Sequence, residues 1–207
     1  IKKHQAMIDE AVLPGNQARF AQAAAAADVL RAAGYLGIGF DHFALPHDSM
    51  ALAAAAGTLQ RNFQGYTVDR HDALIGLGAS AIGRLPQGFV QNVVATGDYQ
   101  RRALAGAGTI AKGLAFTPED ILRGHAIERL MCDFELDFVA LRRQFGAAAE
   151  PVICEAVSFA MQDTLGLATL RPGALVVTNA GRPFVRNVAA QFDAYLARDT
   201  ARYSKAV

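Results

Sequence analysis

Residues 34–83 decide the reading of this chain. They run Gly34-Tyr-Leu-Gly-Ile-Gly-Phe-Asp-His-Phe-Ala-Leu-Pro46, then Arg61-Asn-Phe-Gln-Gly-Tyr-Thr67, then Gly76-Leu-Gly-Ala-Ser-Ala-Ile-Gly83. Each piece joins a short apolar run to a polar or glycine-rich exit, the pattern of a buried strand that delivers side chains to a cleft. Glycines at 76, 78 and 83 leave room for a ligand or a second backbone to come close. Asp41 and His42 follow directly on a strand-like run, where α/β sheets place their ligand groups. Taken alone, these features define an α/β enzyme-like cleft and no particular chemistry. Gly-x-Gly pairs are commonly turns, and Asp-His pairs commonly hydrogen-bond within loops.

Outward from that stretch, Pro14-Gly-Asn16 is a turn with Asn16 as the expected N-cap of a helix over 17–33. That helix places Phe20, Ala23, Ala24, Ala27 and Leu30 on one face, and Gly34 stops it. Strands are expected at 35–40, 63–68, 73–77, 89–94 and 109–116, the third apolar enough to be buried on both faces. Helices are expected at 48–56 and 98–105. Thr117-Pro-Glu-Asp120 is a strong helix start, with a capping threonine, proline at N1 and acids in the first turn. It divides the chain into 1–116 and a helical part, 117–207. In the second part, helices are expected up to Cys132, over 138–145 and over 150–165, the last with Ile153, Val157, Ala160, Met161 and Thr164 as its apolar stripe. A hairpin over 167–177 and a final helix burying Val185, Val188, Phe192 and Leu196 complete it.

The chain has 207 residues, 52% of them hydrophobic and 19% charged, which suffices for a packed core. A net charge of +1 offers no basic field for nucleic acid. Three helices followed by a hairpin make a winged-helix-like order, but residues 150–165 carry Glu150, Glu155 and Asp163 and no Lys or Arg. A helix facing phosphates needs the opposite sign, so nucleic-acid binding is not expected. No apolar run reaches the length of a membrane span, and no signal peptide opens the sequence, so the expectation is cytoplasmic. The two cysteines, Cys132 and Cys154, lie in apolar patterns and read as buried free thiols.

In combination the motifs are far more specific. Asp41-His-Phe-Ala44, Arg61-Asn-Phe-Gln-Gly-Tyr-Thr67 and Gly76-Leu-Gly-Ala-Ser-Ala-Ile82, in this order and spacing, resemble the oxygen-independent coproporphyrinogen III oxidases. The resemblance runs from about Met7 to the C-terminus, through Gly113-Leu-Ala-Phe-Thr117 and Phe134-Glu-Leu-Asp-Phe138. It implies a radical S-adenosylmethionine enzyme of haem biosynthesis. In that family a 4Fe-4S cluster and S-adenosylmethionine drive the oxidative decarboxylation of coproporphyrinogen III to protoporphyrinogen IX. It implies an α/β fold, with 1–116 as the C-terminal portion of a partial (β/α) barrel and 117–207 as a small, mainly helical, winged-helix-like domain. It also implies a porphyrinogen substrate and an electron-donor protein as partners.

Residue by residue, the resemblance gives Gln64 and Ile82 as cofactor-binding positions, with Ala81 and Ser80 as neighbours of the second. Gln64 would present an amide to the amino-acid end of S-adenosylmethionine, and Ile82 would touch the cofactor through its backbone. Arg61 and His42 are substrate candidates; Arg61 could clamp a propionate carboxylate or close a surface ion pair. Absent are the family's three cluster cysteines, its glycine-rich strand and its acidic cofactor grip. Ile1 in place of Met reads as a cut inside a longer protein. The expectation is therefore a C-terminal fragment with no catalytic residue, metal site or bound cofactor of its own, and no turnover alone. The alternative is a haem-binding or haem-delivery relative.

Overall fold

The computed structural model describes residues 12–62 and 64–196. Ile1, Met7 and Phe63 lie outside the described residues. A long helix, α1 (Asn16–Ala32), opens the described chain. Two hairpins flank α2 (Ser49–Ala55): β1 (Leu36–Ile38) with β2 (His42–Ala44), and β3 (Gln60–Asn62) with β4 (Gly65–Thr67). A three-stranded meander follows, β5 (Ile82–Leu85), β6 (Gly88–Asn92) and β7 (Ile110–Ala115), with α3 (Thr96–Leu104) between the last two. The rest is α4 (Pro118–Asp133), β8 (Glu135–Asp137), α5 (Phe138–Phe145), α6 (Glu150–Gln162), β9 (Ala168–Arg171), β10 (Ala174–Val177) and α7 (Val185–Ala189). β10 sits between β8 and β9 in one sheet.

Every strand pairing among the described residues is antiparallel. The turns 39–41 and 86–87 are too short for the crossover that parallel strands require, so the strands of the described residues pair as hairpins and a meander. The mixed α/β character stands. β8 pairs with β10 but was not expected from sequence, because three residues carry too little pattern.

The core is built from the C-terminal elements. Leu130, Leu136, Leu141, Val152, Leu175, Val185, Val188 and Phe192 are fully or almost fully buried in one cluster. The α4 start is as expected: Thr117 Oγ1 accepts from the Asp120 N–H, and Asp120 Oδ2 accepts from the Thr117 N–H, a reciprocal capping box. Arg123 of α4 binds both oxygens of Glu155 on α6 at 2.8 Å, tying two core helices at their polar edge. A second cluster (Ile38, Ala44, Ala51, Leu59, Tyr66 and Cys132) packs the hairpins and α2 onto α4.

Several expectations are corrected. α1 is capped by the backbone at Gly15, not by the Asn16 side chain, and it buries none of its residues; Phe20 instead stacks on Phe184 with ring centroids 5.7 Å apart. Residues 73–77 make no strand. Leu74 alone bridges to Arg84, while Ile75 and Leu77 stand out in the open, because no second layer covers that side. The buried stripe of α6 is Val152, Ile153 and Ala156, one step round from the expected one, and Met161 faces outward. The last helix breaks into short pieces around α7 and leaves Leu196 exposed. Cys132 is buried, but Cys154 is exposed on the outer face of α6. No helix among the described residues is long and apolar enough to cross a membrane.

Candidate functional site

Two features carry the positions singled out from sequence. The first lies where the hairpins meet α4 and centres on Tyr66. Its O–H donates to the Met131 carbonyl at 2.8 Å and its oxygen accepts the Phe40 N–H at 3.3 Å. Burial pushes the phenol up to about 12, so it stays a donor at neutral pH. The ring fits only because residue 39 is glycine: a Cβ there would lie 1.9 Å from it, and the backbone has φ +58°.

Arg61 and His42 both pack on this tyrosine. The Arg61 guanidinium lies 5.5 Å from the Tyr66 ring centroid and 5.8 Å from that of Phe40, within cation–π range of both. Its backbone N–H donates to Glu128 at 3.1 Å, and its Nε is buried without an acceptor. Among the described residues Arg61 closes no ion pair. Arg186 of α7, unnoticed in the sequence, approaches the same Phe40 ring at 5.9 Å. His42 sets its ring edge-on to Tyr66 at 5.1 Å, with Nδ1 2.7 Å from an Asp41 carboxylate oxygen. Asp41 thus orients His42.

The second feature is the loop 76–81 that leads into β5. Ser80 adopts a left-handed conformation at φ +61° and Gly78 one at φ +105°. Asn92, at the end of β6, is the one amide side chain buried among the described residues. Its Nδ2 donates to the carbonyls of Gly76 (2.9 Å) and Gly78 (3.0 Å), and its Oδ1 accepts from Thr109. The loop delivers Ala81, partly buried, and Ile82, which is 37% exposed and pairs with Gln91. Nothing lies within 4 Å of where a Gly78 side chain would sit.

Gln64 occupies the β3–β4 turn, exposed, its N–H held by Asn62 Oδ1 at 2.8 Å. No hydrogen bond joins it to Ala81 or Ile82 among the described residues. The structure therefore unites Arg61 with His42, and Ala81 with Ile82, while Gln64 sits on a different hairpin from Ile82. Asn92 was missed, although a polar residue inside the apolar run Phe89-Val-Gln-Asn-Val-Val94 was the available signal. Among the described residues, no group of three His, Cys, Asp or Glu gathers to hold a metal ion.

No family model matches the chain. A solved structure from Escherichia coli, described as a coproporphyrinogen III oxidase and a radical SAM enzyme, superposes with a TM-score of 0.85 at 33% identity, covering 93% of this chain and 44% of that one. The class that this chain resembles is thus that of the radical SAM enzymes. Among curated proteins, the oxygen-independent coproporphyrinogen III oxidase of Bradyrhizobium diazoefficiens is 46% identical over 206 residues, covering 100% of this chain and 46% of the relative. That of Cereibacter sphaeroides is 43% identical over 204 residues, covering 99% of this chain and 45% of the relative. The chain spans under half the length of the curated relatives it matches. The resemblance read from the motifs holds: the chain is homologous to the C-terminal part of the oxygen-independent coproporphyrinogen III oxidases.

Proposed function

We propose that this chain is the C-terminal part of an oxygen-independent coproporphyrinogen III oxidase, a cytoplasmic enzyme that oxidatively decarboxylates coproporphyrinogen III to protoporphyrinogen IX. The observation that carries this is 46% identity sustained over 206 residues. In this reading, residues 1–116 complete the C-terminal side of a partial (β/α) barrel. Its parallel strands come from the portion of the relatives that this chain does not span. Residues 117–207 form a winged-helix-like module against it.

The residues present do not fit an iron–sulfur cluster, since the two cysteines are apart in burial and no third thiol exists. No step is therefore assigned to a cluster on this chain. For S-adenosylmethionine the fit is better. The open space at Gly78 and the exposed residue Ile82 beside it suit the close approach of a flat ligand. When bound, that cofactor supplies one-electron oxidation, and the protein contributes placement and the exclusion of water. Ile82 would hold it through the backbone, with Ala81 beside it, and Gln64 through its amide.

Arg61 would bind a propionate carboxylate with its guanidinium, kept flat and oriented by the Phe40 and Tyr66 rings. His42, fixed by Asp41, would donate a hydrogen bond to the same group. The test uses a polypeptide of the relatives' full length carrying this segment. Arg61→Ala should raise KM for coproporphyrinogen III about tenfold or more in an anaerobic assay, with kcat little changed. An unaltered KM would remove Arg61 from the site.

A further inference from the structure

The strongest unused feature is the way the loop 76–81 is held. Two of its residues, Gly78 and Ser80, have left-handed backbone, a conformation that a non-glycine residue such as Ser80 adopts at a cost and keeps only when its surroundings dictate it. The surroundings here do so. Asn92 donates to the carbonyls of Gly76 and Gly78. The Gly78 N–H donates to the Tyr99 hydroxyl on α3 at 3.0 Å. The Ser80 N–H donates to Val93, and Gln91 Nε2 donates to the Ser80 carbonyl at 3.0 Å. The Asn92 N–H donates to the Ala81 carbonyl at 3.0 Å.

Asn92 stands at the centre of this set, using its amide on two carbonyls, its oxygen on Thr109 and its backbone on Ala81. Burying an amide costs stability unless every bond is made, so an asparagine here needs a reason that leucine or valine would not supply. The reason offered by the geometry is the fixed shape of the segment entering Ile82. Strain of this kind, over-determined by hydrogen bonds and sitting beside the exposed Ile82, is typical of ligand clamps.

We propose that Asn92 is a positioning residue: it clamps the Gly76 and Gly78 carbonyls and, through its own N–H, the Ala81 carbonyl, so that the backbone of Ile82 is presented to S-adenosylmethionine in one fixed conformation. This rests on the placement of Ile82 at the cofactor given above. Asn92 touches neither cofactor nor substrate and acts through the loop alone.

Asn92→Asp keeps the shape and the acceptor for Thr109 but sets a carboxylate against two carbonyls. Thr109→Val is the milder variant, removing the bond that orients the amide. Native-state hydrogen exchange on this chain should show protection of the 76–82 backbone falling roughly 10- to 100-fold in Asn92→Asp, and less in Thr109→Val. Protection in α4 and α6 should stay unchanged. In a polypeptide of the relatives' full length, equilibrium dialysis with S-adenosylmethionine should show about tenfold weaker binding for Asn92→Asp and for Ile82→Pro, which removes the backbone N–H at the first residue of β5. KM for the porphyrinogen should not move in Asn92→Asp. If protection is lost equally in α4 and α6, Asn92 is an ordinary structural residue and the inference fails. If Ile82→Pro weakens cofactor binding while neither Asn92→Asp nor Thr109→Val does, the inference fails and the Ile82 assignment stands. If Ile82→Pro has no effect on binding, that assignment fails and takes this one with it.

Discussion

The C-terminal elements and the β5–β7 meander are built on opposite principles. From α4 to Phe192 the chain closes around one continuous apolar cluster, with helices fastened by a capping box and the Arg123–Glu155 pair. Among the described residues the meander has no such core. Its buried positions are Gly83, Gly88 and Asn92, every residue of β7 is exposed, and Ile75, Leu77, Val94, Leu104 and Ile110 lie open to solvent. One region is stable by burial, and the other keeps its shape through backbone and amide hydrogen bonds. The lesson concerns division of labour. A segment that shows a fixed backbone to a ligand needs precision more than bulk, and it can borrow stability from its neighbour.

The contrast can be broken by substitution. Leu130→Ala, at a position with no exposure, should cost about 2–5 kcal/mol in denaturant unfolding followed by circular dichroism. Leu77→Ser, at 86% exposure, should stay within about 0.5 kcal/mol. Equal losses would mean that the meander has a core not visible here. Between the two regions lies Tyr66, which ties the hairpins to α4. Tyr66→Phe leaves the Phe40 N–H and the Met131 carbonyl unpaired and should cost about 1–3 kcal/mol. No loss in that variant would show that the hairpins are not anchored through the hydroxyl.

The smallest effect is one of pH. Burial, with Arg129 nearby, holds the His125 imidazole below its usual 6.5. Below that pH the unfolded chain takes up a proton that the folded chain refuses. This contribution to stability is therefore complete above about pH 6.5 and is lost as pH falls toward the lowered folded value. His125→Gln should flatten the dependence in thermal melts between pH 7 and 5.5. Retention of the slope would assign it to other groups.

Much of this was legible in advance where local rules act. Thr117-Pro-Glu-Asp120 announced α4 because capping chemistry is written in adjacent residues, and the hairpin expected over 167–177 is the β9–β10 pair. The apolar stretch 73–77 misled because composition cannot say whether a second layer will cover it. α1 misled in the same way, since its regular stripe meets little but Phe184. At the site, Arg61 and His42 were found through their motif. Arg186 is more than a hundred residues distant and only the fold brings it to Phe40. Asn92 needed tertiary context, because its role depends on loop carbonyls that no spacing rule reveals.

The unequal cysteines have a practical consequence. Cys132 lies under the hairpins, and burial pushes its thiol up to about 12, whereas Cys154 lies open on α6. A maleimide dye under native conditions should therefore attach once per molecule, at Cys154. The second thiol becomes available to reagent only when the hairpins lift from α4, so its labelling rate is a built-in clock for that undocking.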